Sequence, residues 1–315
     1  MSRAGIFLCL ASAAAFGAMG IFGKLAYEEG ATPGTVLATR FVIASAVLWA
    51  FAALSGRLSE LRAVTRRDVG LGLALGGIGY ASQAGSYFVA LDRLDASVLT
   101  LLLYTFPAMV AGASVVLGRE HATWRTAAGI ALSFAGIALV ALGAGSGPLD
   151  AVGVGLGLTA AVVYSVYILS SEGIADRITP LALTTIVCTG AAVTLTTTTT
   201  ATGNVDLAAL SAEGWVWIAG IALVSTIAAI TFFFAGLPRV GATAASILST
   251  FEPIVAVTLA WLVLDEPMTA AKIAGGALVL AAVVVIRSQP GEDRERQDDE
   301  PRRAGPPATR AAPPC

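Results

Sequence analysis

The apolar residues of this chain come in blocks of about 20, separated by short charged or Gly/Pro-containing breaks. A helix of about 20 apolar residues is long enough to cross a hydrocarbon core of roughly 30 Å. The 315-residue chain is 56% hydrophobic and only 13% charged, whereas a soluble domain carries about 25% charged residues. With so few charges, a soluble protein would have an apolar exterior. The sequence therefore predicts an all-α, polytopic membrane protein.

Ten segments are predicted to cross the membrane as helices. They are residues 5–26, 32–54, 69–91, 95–118, 123–143, 150–171, 180–200, 213–236, 242–264 and 268–287. A Gly/Ser/Pro-rich break at 143–148 separates two sets of five. Residues beyond 287 alternate Arg, Asp, Glu and Pro, which cannot bury a core, so they are expected to be disordered. The predicted organisation is a first unit at 1–147, a second at 148–287 and a tail at 288–315.

The first apolar segment also resembles a signal peptide, because it follows Arg3 directly. It is long for such a peptide, and its removal would leave nine helices and an unpaired repeat. We therefore predict that it is retained as the first membrane-spanning helix.

Basic residues indicate the orientation, since Lys and Arg are enriched on the cytoplasmic side of membrane proteins. If the N-terminus is inside, the outer side holds only Lys24, Arg93 and Lys272, and Arg40 lies within a span. The cytoplasmic segments then hold Arg3, Arg57, Arg62, Arg66, Arg67, Arg119, Arg125, Arg177, Arg239, Arg287 and the tail arginines. The sequence predicts a multi-pass protein of the inner (plasma) membrane with both termini in the cytoplasm.

The two halves of the chain match when one is shifted by about 146 residues. Residues 90–97 then align with 236–243. The same register aligns Pro107 with Pro253, Glu120 with Glu266, and Gly129 with Gly275. Because each half has five spans, an odd number, the two repeats must have opposite orientations in the bilayer. Inverted repeats are typical of alternating-access carriers.

These patterns resemble the EamA family of the drug/metabolite transporter superfamily over roughly residues 5–287. The second half carries the resemblance in residues 251–256 and 264–267, and the first half carries it in 37–41, 106–107 and 117–120. The resemblance implies ten helices, two inverted EamA repeats and export or uptake of small metabolites. The chain departs from an even repeat at one position, where Phe106 stands opposite Glu252.

Glu252 and Arg40 are the charged candidates for function, since each lies well inside a predicted span. An ionisable group there costs at least about 2.5–3.5 kcal/mol, so it should face a cavity or a partner. Glu252 could couple transport to protons, anchor a substrate amine, or satisfy backbone groups released by the Pro253 kink. Arg40 could attract a substrate carboxylate, pair with Glu252, or hold two helices together.

Aromatic and polar side chains supply the remaining candidates for substrate binding. Tyr80, Gln83 and Tyr87 recur at spacings of three and four, which places them on one face of a helix. The alternative for Gln83 is an interhelical hydrogen bond. Four other candidates lie mid-span, namely Tyr104, Tyr164, Tyr167 and Ser249. A cavity lined by aromatic residues with a few polar groups suits an amphipathic metabolite.

The predicted function is secondary transport of a small polar or amphipathic metabolite by alternating access, with an amino-acid-like compound and export favoured. The expected partners are that metabolite, the lipid bilayer and, as a candidate coupling ion, the proton. No cofactor, metal, nucleic-acid partner or enzymatic activity is predicted, and the sequence does not indicate an oligomeric state. The alternative is a non-transporting or enzymatic integral membrane helical bundle, which apposed nucleophile and base residues would favour.

Overall fold

The computed structural model describes residues 2–118, 123–142, 150–175, 177–240 and 248–287, and these residues contain helices and no strand. Several predictions concern positions outside the described residues. They are the break at 143–148, the position of Glu120, the repeat match at 241–243 and the tail at 288–315.

The helices follow the predicted segments to within a few residues, except that the segment 242–264 begins outside the described residues and its helix is described as Phe251–Val263. The first half contains α1 (Arg3–Gly17), α2 (Met19–Glu28), α3 (Pro33–Leu54), the short α4 (Leu58–Arg62), α5 (Arg66–Ala74), a π-helical segment π1 (Leu75–Tyr80), α6 (Ala81–Leu91), α7 (Ala96–Leu103), α8 (Phe106–Val116) and α9 (Trp124–Leu142). The second half contains α10 (Ala151–Ala175), α11 (Pro180–Ala201), α12 (Ala212–Ala222), a second π-helical segment π2 (Leu223–Ala228), α13 (Ala229–Val240), α14 (Phe251–Val263) and α15 (Ala270–Arg287).

Local sequence explains where several helices begin. The Thr32 side chain accepts a hydrogen bond from the backbone N–H of Thr35 at the start of α3, and Pro33 occupies the first helical position. Thr179 and Pro180 repeat this arrangement at the start of α11. A side-chain oxygen at such a position satisfies one of the free N–H groups of the first turn, and proline there loses no helical hydrogen bond.

The described helices have the length and surface of membrane spans. Six helical stretches are long and apolar enough to cross a membrane, and three shorter ones are apolar. Arg66–Leu91 forms one further continuous helical stretch through π1. Large apolar side chains are exposed along these helices, among them Val42, Trp49, Ile78, Phe134, Val162, Val166, Val193, Val216, Trp261 and Ile273. A soluble monomer rarely exposes so much contiguous apolar surface. The chain is a multi-pass membrane protein, and its ten crossings remain a prediction.

Irregularities divide four of the predicted spans at matching positions in the two halves. π1 begins at Leu75 and π2 at Leu223, each inside a long apolar stretch. Two other spans are interrupted just before a proline, where α7 ends at Leu103 and α8 begins at Phe106, and where α14 begins at Phe251. Proline cannot donate the backbone hydrogen bond that would continue the preceding turn.

Helices of the first half pack mainly against helices of the second half. The pairs are α1 with α13, α3 with α11, α6 with α10, α7 with α14, and α9 with α15. If each helix is replaced by its counterpart in the other half, the pairs α3/α11, α7/α14 and α9/α15 are unchanged. The same replacement converts the pair α1/α13 into the pair α10/α6. The contacts therefore have the symmetry that two related five-helix units would produce.

Glycines allow the closest of these approaches. A Cβ atom added to Gly136 in α9 would lie 2.7 Å from the carbonyl oxygen of Gly275 in α15, and the reverse distance is also 2.7 Å. A Cβ atom on Gly76 in π1 would lie 2.0 Å from the carbonyl oxygen of Val187 in α11. Small residues thus bring the helices of the two halves together, as they commonly do in membrane bundles.

Candidate functional site

Glu252 lies in the first turn of α14, at the point where its span is interrupted. The phenolic oxygen of Tyr104 lies 2.9 Å from Glu252 Oε2 and 2.8 Å from the carbonyl oxygen of Ser249. That carbonyl would accept the hydrogen bond of residue 253 in a regular helix, but residue 253 is proline and has no N–H. Tyr104, from the first half, therefore donates to a carbonyl of the second half to which Pro253 cannot donate.

The hydrogen bonds around Tyr104 depend on the protonation of Glu252. A tyrosine hydroxyl has one proton to donate. If Glu252 is a carboxylate, the Tyr104 hydroxyl donates to it. If Glu252 is protonated, its O–H donates to the Tyr104 oxygen, and the Tyr104 hydroxyl donates to the Ser249 carbonyl. The two protonation states thus have different hydrogen-bond patterns at one contact between the halves.

Five aromatic rings, here called the aromatic chain, lead from Tyr104 to Tyr80 through successive contacts. The distances between ring centroids are 5.8 Å for Tyr104–Phe106, 4.7 Å for Phe106–Tyr164, 6.3 Å for Tyr164–Tyr167 and 5.8 Å for Tyr167–Tyr80. These separations are typical of interacting aromatic pairs. The rings come from α8, α10, π1 and the break before α8, so predicted residues that are distant in sequence form one continuous surface.

Arg40 lies at the other end of the aromatic chain. Its Nη2 donates to the Tyr80 hydroxyl at 3.4 Å, and its Nε donates to Thr226 Oγ1 at 3.0 Å. Tyr80 is the last residue of π1 and Thr226 belongs to π2. In π2 the Thr226 hydroxyl donates to the carbonyl of Ile221, five residues earlier, which leaves its oxygen free to accept from Arg40. π-Helical turns occur frequently at functional sites.

The guanidinium of Arg40 also rests on two aromatic rings. Its Cζ lies 4.8 Å from the ring centroid of Phe41 and 5.4 Å from that of Phe88. Sequence reasoning did not single out Thr226, Phe41 or Phe88, because an isolated Thr or Phe in an apolar helix carries no signal. Among the described residues, Arg40 and Glu252 form no ion pair with each other.

Tyr87 and Gln83 lie on the same helix as Tyr80 but are not members of the aromatic chain. Tyr87 is buried and its ring packs edge-on against Phe88, while its hydroxyl lies 3.1 Å from the position of a Cβ atom on Gly20. Gln83 is 6% exposed, and within the described part of the chain its amide makes no hydrogen bond. The predicted face of three polar residues therefore contributes one ring to the aromatic chain and one amide without a partner among the described residues.

A cleft of about 580 Å³ lies beside the aromatic chain, between the helices that carry π1 and α10. Its walls are mainly apolar, and its polar lining residues are Ser82, Tyr167, Ser170 and Arg177. Gln83, Ser249 and Glu252 do not line it. Tyr167 thus borders both the cleft and the aromatic chain.

A second charged cluster, here called the outer cluster, joins the halves near the start of α7. Glu266 is buried and accepts hydrogen bonds from the backbone N–H groups of Ala96 at 2.6 Å and Ser97 at 3.2 Å, and from the Ser97 hydroxyl. The buried ammonium of Lys272 lies 2.7 Å from Asp95 and 3.8 Å from Glu266. A carboxylate at a helix N-terminus is stabilised by the free N–H groups and by the helix dipole. The repeat aligns Glu266 with Glu120, but the sequence does not show which groups the Glu266 carboxylate contacts.

At the opposite end of the bundle, an ion pair called here the inner pair joins the halves. Arg177 donates to Asp68 Oδ1 at 2.9 Å, and the Thr65 hydroxyl donates to the same carboxylate. The hydrogen bonds from Thr65 and Arg177 lower the pKa of Asp68. Asp68 therefore stays ionised at neutral pH, and the inner pair weakens only as the pH falls through that lowered pKa.

No group of three or more His, Cys, Asp or Glu residues in the described ranges is arranged to hold a metal ion. The four buried charged residues of these ranges are Asp68 in the inner pair, Glu266 and Lys272 in the outer cluster, and Arg40.

Comparisons with known proteins identify the family. The sequence profile of the EamA-like transporter family matches residues 3–142 and again residues 151–288. An uncharacterized transporter of Archaeoglobus fulgidus is 26% identical over 227 residues, which cover 70% of this chain and 78% of that protein. The uncharacterized transporter YcbK of Bacillus subtilis is 25% identical over 290 residues, which cover 87% of this chain and 89% of that protein.

The fold also resembles that of a crystal structure with a TM-score of 0.64 and 18% sequence identity, over 90% of this chain and 96% of that one. At that identity the likeness concerns the fold alone. The two profile matches confirm the repeat and the resemblance that the sequence motifs predicted. The chain belongs to the EamA-like transporter family and is a membrane transporter.

Proposed function

We propose that this protein is a secondary transporter that exports a small polar or amphipathic metabolite, with an amino-acid-like compound favoured, by alternating access. The proposal includes ten crossings of the inner (plasma) membrane, inverted repeats at 1–147 and 148–287, and a disordered tail at 288–315. Both termini are proposed to lie in the cytoplasm.

The contact of Glu252 with Tyr104 is the observation that carries this proposal. It joins the two halves at a helix break, inside the bundle and at the end of the aromatic chain. Broken helices at the interface of two repeats supply the binding sites of many secondary transporters. Half-buried rings together with a carboxyl group suit a solute that has an apolar part and a positive charge.

A single carboxyl group also supports a mechanism of exchange. If Glu252 holds either a proton or the ammonium group of the substrate, but not both, each can cross only when the other is released. Protons that enter down their gradient then drive the substrate outward. This competition is the basis for proposing export rather than uptake.

Alternating access further requires contacts between the halves that open in turn at the two ends of the bundle. The outer cluster and the inner pair are suited to this, because each joins the two halves through charged groups near a helix end. We propose that transport opens one while the other stays closed.

Transport by the purified protein in liposomes tests the proposal. We expect liposomes that contain the protein to exchange at least one radiolabelled metabolite from a panel of amino acids, amines and organic acids, and an imposed pH gradient to accelerate its movement. Protein-free liposomes under the same gradient control for leakage. If no compound moves faster than this control, the transport proposal is wrong for that panel. If movement is unaffected by the gradient, the proton coupling is wrong.

Thiol labelling tests the proposed orientation. Cys9 and Cys188 are buried, so cysteines introduced at the exposed positions of Ser59 and Asn204 can be compared with them once Cys315 has been replaced by serine. An impermeant maleimide added to intact cells should label Asn204→Cys, and it should label Ser59→Cys only after the cells are opened. Labelling of both variants from the same side would contradict the inverted repeats.

A further inference from the structure

Arg40 differs from the other buried charged residues that the structure describes. These are Asp68, Glu266 and Lys272, and each of them has an oppositely charged partner within 4 Å. Arg40 is 1% exposed and has none in the described ranges. An arginine inside a membrane bundle is costly and normally faces a partner of opposite charge or a water-filled cavity.

The hydrogen bonds of Arg40 fix its guanidinium and leave part of it free. A guanidinium has five N–H donors in a planar fork. Nε and Nη2 donate to the neutral hydroxyls of Thr226 and Tyr80, and Nη1 makes no hydrogen bond to the described residues. Phe41 and Phe88 lie against the guanidinium. Two hydroxyls and two rings therefore hold the guanidinium in place, while the N–H groups of Nη1 remain available to a ligand.

Gln83 provides a second, independent sign of a ligand near this place. It lies three residues after Tyr80 and therefore on the same helical face. Gln83 is only 6% exposed, yet its amide has no hydrogen-bond partner in the described part of the protein. Buried amides are nearly always hydrogen-bonded, so an amide without a partner among the described residues is open to a ligand or water.

We propose that Arg40, held by Tyr80 and Thr226, is the subsite for a carboxylate group of the transported solute. A carboxylate fits because its two oxygens can accept parallel N–H groups of one guanidinium, and it supplies a negative charge that none of the described residues places beside Arg40. Gln83 lies close enough along the helix to bond the same solute. The inference rests on the proposed function, since it identifies a chemical group of the solute that the transporter carries.

Binding to the purified protein in detergent tests this without any need for transport. The probes are L-amino acids, each paired with its carboxamide, and benzoate paired with benzamide. We expect at least one carboxylate to raise the melting temperature of the protein in a concentration-dependent manner. Its uncharged carboxamide should bind at least about tenfold more weakly, because hydrogen bonds between two charged groups are roughly twice as strong as those between neutral groups.

Substitution of Arg40 then tests whether this residue causes the preference for a carboxylate over its carboxamide. Arg40→Gln should abolish the difference between a carboxylate and its carboxamide, and Arg40→Lys should restore part of it. Arg93→Gln is the matched control, because Arg93 is half exposed and pairs with Asp150 at the surface. If the Arg40 variants fail to fold, the comparison of a carboxylate with its carboxamide on the wild-type protein still tests the proposal.

Three results would overturn the proposal. They are equal binding of a carboxylate and its carboxamide by the wild-type protein, no binding of any carboxylate, and an unchanged preference in folded Arg40→Gln. Carboxylate binding that is lost in Arg40→Gln, combined with a failure to transport in liposomes, would reject the transport proposal and support the subsite.

Discussion

Glu252→Gln is expected to abolish the pH-gradient-driven movement of substrate in liposomes, reducing it to the level of protein-free liposomes. Glutamine keeps the size of the side chain and can still accept a hydrogen bond from Tyr104, but it cannot take up or release a proton. Exchange of labelled for unlabelled substrate needs no net movement of protons and should continue at a reduced rate, because the glutamine oxygen can still accept a hydrogen bond from the ammonium group but carries no negative charge. The measurement is uptake of the labelled substrate with and without the gradient, at matched amounts of protein.

Glu213→Gln is the control for this substitution. Glu213 lies in the first turn of α12 and is exposed, so its loss should leave both activities unchanged. If Glu252→Gln still accumulates substrate under the gradient, Glu252 does not couple transport to protons. Loss of exchange together with accumulation would instead show that the carboxyl group is needed to bind the substrate or to maintain the fold.

Tyr104→Phe separates these roles further, because it removes the hydroxyl that bonds Glu252 and the Ser249 carbonyl while leaving the carboxyl group in place. If the hydrogen-bond pattern at this contact links protonation to the movement of the halves, the variant should bind substrate but respond less to the gradient. A response equal to that of the wild type would restrict the coupling role to Glu252 itself.

Glu266→Gln is expected to lower the melting temperature of the detergent-solubilised protein by about 5–10 °C. The carboxylate accepts hydrogen bonds from two backbone N–H groups of α7, each worth about 1.5–3 kcal/mol when the acceptor is charged. A glutamine has only one oxygen, and its NH₂ group would face a backbone N–H donor. The outer cluster would also lose a negative charge beside Lys272.

Glu28→Gln, at an exposed position near the same end of the bundle, provides the comparison and should leave the melting temperature within about 1 °C of the wild type. Thermal unfolding followed by tryptophan fluorescence is a suitable measurement. If Glu266→Gln is as stable as Glu28→Gln, the hydrogen bonds to α7 do not hold the halves together.

The sequence determined the helices, the repeat and the family. Lipid cannot hydrogen-bond the backbone, so an apolar segment of about 20 residues has to form a helix whatever its neighbours are. That constraint is local, and the predicted segments accordingly match the described helices to within a few residues wherever both ends of a segment are described. The motifs around Glu252 and Glu266 likewise identified the family, because they are short and contiguous.

The tertiary structure decided which side chains meet. The bond from Arg40 to Thr226 joins residues 186 positions apart, and that from Tyr104 to Glu252 joins residues 148 positions apart. Both depend on π-helical turns or helix breaks that the sequence shows only as uninterrupted apolar segments. A hydroxyl or a ring in such a segment has many neighbours open to it, and packing between the halves selects one. For that reason Arg40, which the sequence left as a substrate contact, a partner of Glu252 or a residue that holds two helices together, contacts two hydroxyls and two aromatic rings. Among the described residues, no carboxylate lies within ion-pair distance of it.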